Sequence, residues 1–146
     1  MRAIETVFGV LVLTAALSVA ARAADEPDPA AIKAGIAIVD GDTFDYGGKR
    51  FRVFRLDAPD ARRHAKCEAE IALHAPSTAY AQTLLGTAKG AEIRPTGKVQ
   101  PAIGFYRERF EAELFLDGRS FTDLMVEGGH GKYAGDGGWC EKPSAD

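Results

Sequence analysis

Four aspartates occupy two short clusters, Asp40 and Asp42 in the run VDGDTF and Asp57 and Asp60 in RLDAPD. Each cluster ends an apolar stretch beside a turn, where side chains from separate strands project together at one rim of a small sheet. Convergent carboxylates suit a hard cation. Calcium takes several oxygens from carboxylates, backbone carbonyls and water, whereas a softer metal prefers His or Cys. Taken alone, an Asp-Gly-Asp run is also an ordinary turn, because Asp bonds its own backbone and Gly supplies positive φ. Arg52 and Arg55 lie between the clusters, and Arg107 and Arg109 enter the last strand-like run. A guanidinium grips phosphate through two parallel hydrogen bonds, so arginines beside a cation-binding rim fit a phosphodiester substrate. Each is equally readable as a scattered surface charge. Strand alternation puts Arg52 and Arg55 on opposite faces, so at most one reaches such a site, and puts Arg107 and Arg109 on one face together.

The elements that must position these residues are short. Apolar Gly35 to Val39 and Phe44 to Tyr46 flank the polar turn Asp40 to Thr43, and Gly47-Gly48 offers the backbone of a tight hairpin. A third strand runs through Phe51 and Val53 until Ala58-Pro59 stops the ladder. Cys67 to Lys89 favours helix, with Pro76 expected to break it and Ser77 to cap a fresh start. Ala81, Leu84, Leu85 and Ala88 then sit at helical spacing and face the core. Ala91 to Pro95 and Phe110 to Leu116 give two more strands, joined by a Gly- and Pro-containing connection over Thr96 to Gly104. Ser120 caps a short helix that Gly128-Gly129 ends. Three hairpin-linked strands, a helix, two strands and a helix predict a mainly β, α+β domain: a five-stranded OB-fold barrel with two to three helices.

The first residues read as a processing signal. Arg2 gives a positive start, Val7 to Ala20 is almost wholly apolar, and Ala21-Arg22-Ala23 is a small-x-small cleavage site. The division expected is a signal peptide over 1–23, an N-terminal linker over 24–34, one domain over 35–135 and a tail over 136–146. Export is the consequence, to the periplasm or outside the cell, with no stable membrane association after cleavage; an uncleaved anchor is the competing reading. The chain carries a net charge of −3, and losing Arg2, Arg22 and Glu5 makes the remainder one unit more negative. Blanket neutralisation of duplex phosphates is therefore not its mode of binding, although a local basic cluster stays open. In an oxidising compartment the even pair Cys67 and Cys140 is expected to form a disulfide that tethers the tail. The competing use of a cysteine, zinc with His64 and His74, lacks a familiar ligand spacing.

VDGDTF, then Arg52 five residues before Asp57 in RVFRLDAPD, then RERFEAELFLDG over Arg107 to Gly118, together resemble the staphylococcal-nuclease (thermonuclease) family in order, spacing and flanking strands. The resemblance covers about Gly35 to Tyr133. It implies an OB-fold monomer that hydrolyses phosphodiester bonds of DNA and/or RNA with calcium. By position, Asp42, Asp57 and the main-chain carbonyl of Ala58 would hold the calcium. Arg52 would contact the scissile phosphate, Arg109 would be the second phosphate arginine, and Asp60 would orient or deprotonate the attacking water. Arg107 would contact substrate beside Arg109; read from the residues, Tyr106 or Tyr133 would stack on a base or sugar, with buried packing the preferred reading for either. Cys67 and the closing GGWC also resemble exported relatives with an extra cysteine pair.

The chain departs from the family pattern at two chemically relevant points. DAPD stands where DAPE is usual, so Asp60 is one methylene short, and a misplacement near 1 Å at a reacting group costs on the order of a hundredfold in rate. Arg107-Glu108-Arg109 replaces Tyr-Gly-Arg, which leaves the choice between Arg107 and Arg109 open. Gly129-His130 also replaces an apolar pair. A weakened nuclease is the expectation, and the alternative is a non-catalytic exported OB-fold module that binds nucleic acid or another ligand. Gly128 to Lys132 lacks the spacing and final Ser/Thr of a phosphate loop, and there is no HExxH pair or nucleophile elbow.

Overall fold

The structure is a computed structural model that describes residues 27–104 and 107–140. The expected signal peptide, Phe105, Tyr106 and residues 141–146 lie outside the described residues. No helix among those described is long and apolar enough to cross a membrane.

The stretch expected as a linker contains a helix, α1 (Pro29–Gly35). Asp28 accepts a hydrogen bond from the Ala30 amide at 3.1 Å and Pro29 pre-sets the first turn, so a cap and a proline start a helix that composition alone did not announce. Ile32 and Ile36 are buried and carry α1 into the core. Strands β1 (Ala37–Asp40), β2 (Thr43–Tyr46) and β3 (Lys49–Val53) follow as an antiparallel meander. Tyr46 pairs with Lys49 across Gly47 and Gly48, whose φ values of 57° and 76° make the two-residue hairpin read from the sequence. A turn through Arg55, itself left-handed at φ 59°, leads into the short β4 (Leu56–Asp57).

Helix α2 (Glu68–Thr87) is continuous through Pro76, correcting the expected break. An interior proline costs about 3 kcal/mol, and here contacts on both sides of it hold the helix. Glu70 and His74 bind the loop after β4, while Ser77 donates to the His130 carbonyl at 2.8 Å and Ala81 is fully buried. Strand β5 (Ala91–Gln100) runs past its expected end at Pro95, through a register shift between Pro95 and Val99 that absorbs the proline and the left-handed Gly97. It pairs with β6 (Arg109–Leu116), which also lies parallel to β3, with Arg52 opposite Glu111. An Asp117-Gly118 turn leads to β7 (Arg119–Ser120). Helix α3 (Phe121–Glu127) is capped by the Ser120 hydroxyl and ends at Gly128, and β8 (Lys132–Tyr133) pairs with β4.

The main strand order is β1-β2-β3-β6-β5. This is an α+β fold with three helices and a five-stranded sheet curled into a half-barrel, compatible with an OB-like arrangement. No ladder joins β1 to β5 among the described residues, so the sheet stays open where a closed barrel was expected. Phe44 and Phe51 stack at 5.2 Å, and Val53, Leu56, Leu114, Phe121 and Met125 close around them. Cys67 and Cys140 form the expected disulfide across a sequence separation of 73, which by chain entropy contributes roughly 4 kcal/mol. With both sulfurs bonded to each other, the zinc reading with His64 and His74 falls.

Gly41 between Asp40 and Asp42 does not take a left-handed backbone; the demand on it is space. A Cβ there would come within 2.6 Å of Ala58 Cβ and onto the Ser77 hydroxyl. Gly41→Ala is therefore expected to cost about 1–3 kcal/mol in urea denaturation, by pushing the Asp42 turn off α2 and the Ala58 loop; an unchanged midpoint would show that the turn is free to move.

Candidate functional site

The turn between β1 and β2 delivers Asp42 inward. The Val53 amide donates to the Asp42 carbonyl at 2.8 Å, fastening this turn to β3. Asp42 is buried, yet each of its carboxylate oxygens has a partner. Oδ1 accepts from Thr43 Oγ1 at 2.9 Å, and Oδ2 accepts from the Ala58 amide at 3.4 Å and faces Arg52 Nη2 at 2.9 Å. Asp57 reaches the same guanidinium nitrogen from β4, with Oδ1 at 3.9 Å. Its other oxygen, Oδ2, accepts from the Trp139 indole at 2.9 Å. Two carboxylate oxygens from separate elements thus converge on one cationic nitrogen, with the Ala58 backbone alongside.

Burial pushes the Asp42 carboxyl up to about 7; Arg52 pulls it down and Asp40 pushes it further up. A buried carboxylate so under-compensated is a site where a divalent cation would stabilise the charged form. The carboxylate oxygens of Asp42 and Asp57 are donors of the kind calcium takes, whereas the Ala58 contact here is its amide, which donates to Asp42 Oδ2 and is no metal ligand. The convergence is narrower than expected from sequence. Asp40 Oδ1 accepts from the Asp42 amide at 3.3 Å and builds the turn. Asp60 is exposed and stands apart from the Asp42–Asp57 pair. Among the described residues the one group of three metal-capable side chains within 4.8 Å of one another is Cys67, Glu70 and Cys140, and its two sulfurs are joined in the disulfide.

Arg52, Asp60, Arg107 and Arg109 line one cavity of about 520 Å³, together with His64, Gln100, Pro101 and Ile103. A neighbouring hollow of about 330 Å³ shares Arg52, Gln100 and Arg109 and adds Lys98, while another of about 290 Å³ shares Arg107 and adds Lys49 and Arg50. A mildly acidic chain therefore concentrates cationic side chains along one trough. Arg50 is held bidentately by Asp45 at 2.8 and 2.9 Å, and Lys98 faces Glu111 at 3.6 Å. Arg107 and Arg109 make no ion pair among the described residues. Both line the same cavity, but Arg107 precedes β6, which begins at Arg109, so strand parity does not account for their shared placement.

The loop carrying Asp57 to Asp60 is held by polar groups on α2, of which only His74 had been considered, as a zinc ligand. Buried Glu70 accepts from the Asp60 amide at 3.2 Å and from the Lys66 amide at 2.8 Å. His74 Nδ1 lies 2.9 Å from the Pro59 carbonyl, so that nitrogen carries the proton and donates. Residues 70, 74 and 77 continue the stripe of Ala81, Leu84 and Ala88, which was the available signal: polar side chains at core-facing helical spacing need partners.

Tyr133 does not join this site. It lines a separate cavity of about 220 Å³ with Phe54, Arg55 and Thr122, and its hydroxyl donates to Asp123 at 2.9 Å. A strand pairing β8 to β4 turns that ring away from the arginine cavity. Tyr106 lies outside the described residues. Trp139, Gln100 and Ile103 are additions that the sequence reading did not single out.

Asp42 also sets a pH dependence. Its native value of about 7 exceeds its ordinary value of 3.8, so the native state holds the proton more tightly and stability falls as pH rises across that window. In chelator, Asp42→Asn removes this slope, and its unfolding midpoint relative to wild type should rise from pH 4 to pH 8. A difference independent of pH would contradict this account of the carboxylate. No model of a known protein family matches the chain, and no curated protein matches it.

Proposed function

We propose that this chain is an exported, calcium-dependent phosphodiesterase that cleaves nucleic acid, DNA and/or RNA, on an OB-like barrel of the thermonuclease type. The observation that carries this reading is the meeting of Asp42 Oδ2 and Asp57 Oδ1 at Arg52 Nη2, with Arg52 also lining the cavity of Asp60, Arg107 and Arg109. Asp42, Asp57 and the Ala58 carbonyl would hold the calcium, which when bound polarises a phosphate oxygen. Arg52 spans the rim and the cavity, so its guanidinium holds the scissile phosphate beside the carboxylates. Arg109, with Arg107 beside it, offers donors to the oxygens on which negative charge grows as the bond to phosphorus forms. Asp60 supplies the carboxylate that orients an attacking water and takes its proton. Glu70 fixes the backbone of Asp60, which limits how far the short side chain can be compensated by loop movement. The apolar Ile103 and Pro101 give the cavity a wall suited to a base or sugar beside the phosphate grip.

A second reading, a non-catalytic binding module, is favoured by one observation: Arg52 is drawn onto Asp42 at 2.9 Å. Both readings keep the protein a monomer released from its signal segment into the periplasm or the medium.

The test is hydrolysis of single-stranded DNA and RNA by the chain from residue 24 onward, with calcium and with chelator. Cleavage should require calcium, fall roughly 100- to 1,000-fold in Arg52→Ala, fall likewise in Arg109→Ala, and rise in Asp60→Glu. Cleavage that persists in chelator or in Arg52→Ala would refute the calcium-dependent mechanism, and no cleavage with intact nucleic-acid binding would favour the binding module.

A further inference from the structure

We propose that Trp139 is a positioning residue for the cation-binding carboxylate of Asp57, and that the Cys67–Cys140 disulfide is what delivers it there. The inference rests on the calcium reading above. An aspartate carboxylate turns about a broad, poorly defined terminal torsion, so Asp57 needs a partner to keep Oδ1 pointed at the place it shares with Asp42. The indole N–H is a donor with no acceptor function. By binding Oδ2 at 2.9 Å it selects one orientation and leaves Oδ1 free to face the rim. Hydrogen bonds of this kind to metal-ligating carboxylates fix their orientation and tune affinity.

The segment that carries the indole is anchored at both ends. At its start, Lys132 pairs with Asp57 itself in the β4–β8 ladder. At its end, Cys140, the residue after Trp139, is bonded to Cys67 at the start of α2. The reversal between these anchors passes through Gly135 and Gly137 at φ 104° and 98°, a backbone that favours glycine. Lys132 then returns to close the turn, its Nζ lying 4.6 Å over the Trp139 ring and donating to the Gly138 carbonyl. Cys140 Sγ also lies 3.9 Å from Glu70, the residue that holds the Asp60 amide. One covalent link thus reaches the calcium-side aspartate through Trp139 and the neighbouring water-side loop through Glu70. Removing the bridge takes away the covalent anchor next to the indole without removing any proposed ligand.

Trp139 is the single tryptophan of the chain, so its emission reports on Asp57 directly. Calcium titrated by calorimetry into wild type, Trp139→Phe and a Cys67→Ser/Cys140→Ser double variant tests the proposal, with folding checked by circular dichroism. The affinity should fall roughly 10- to 100-fold in Trp139→Phe and by a similar factor in the folded double variant. In wild type the tryptophan emission should change with the same midpoint as the heat. Wild-type affinity in Trp139→Phe would overturn the positioning role while the calcium reading stands, as would an increase, which would make Trp139 a competitor for Asp57. A wild-type protein that takes up no calcium would remove the calcium reading itself.

Discussion

A carboxylate enclosed by a β-turn and a proline loop has to be compensated, and the compensation of Asp42 organises much of this molecule. Thr43, the Ala58 amide and Arg52 each supply part of it, and burial still leaves the charged form disfavoured. The turn can lie this close to α2 only because Gly41 has no side chain. Arg52 can reach inward only because β3 is clamped between β2 and β6. The half-barrel therefore serves as a frame that holds one unfavourable charge beside one arginine. As an ion pair alone it adds little to stability, since a buried ion pair rarely repays its desolvation; on the proposed function it is a place for a cation.

Around that frame, helix α2 acts as a polar brace. Glu70, His74 and Ser77 face inward along the stripe that Ala81 and Leu84 continue, and each binds backbone of a segment that has few regular ladder bonds of its own. The loop from Asp57 to Lys66 and the glycine-rich stretch around His130 are thereby tied to the longest rigid element. Local order at the site depends on these side-chain bonds and on the disulfide more than on extension of the sheet. This explains how a helix containing Pro76 persists: the stripe is anchored on both sides of the missing amide.

The hairpin at Gly47-Gly48, the Ser120 cap and the strands that carry Arg52 and Arg109 were legible because each rests on local rules of backbone and periodicity. The pairing of Cys67 with Cys140 was legible from their number, two cysteines forming one possible pair. Other features were hidden because they depend on distance in the fold. Pro76 signalled a break that tertiary anchors override. Pro95 signalled the end of a strand that a bulge carries further. Gly41 was read as a conformational need, whereas it answers a steric one set by residues 58 and 77. Tyr133 faces a different cavity because β8 pairs with β4, a two-residue contact with no periodic signature. Trp139 reaches Asp57 across 82 positions of sequence, a separation at which only the three-dimensional path of the chain is informative.

On the proposed function, Asp42 and Asp57 form one cation site beside Arg52. Diffraction from crystals soaked with calcium, and with a lanthanide in its place for anomalous signal, tests it most directly. One peak is expected within roughly 2.3–2.6 Å of Asp42 Oδ2 and Asp57 Oδ1 for calcium, with Arg52 displaced toward the cavity of Asp60 and Arg109. An ion bound elsewhere, or full occupancy of the Asp42–Arg52 pair at saturating calcium, would contradict it.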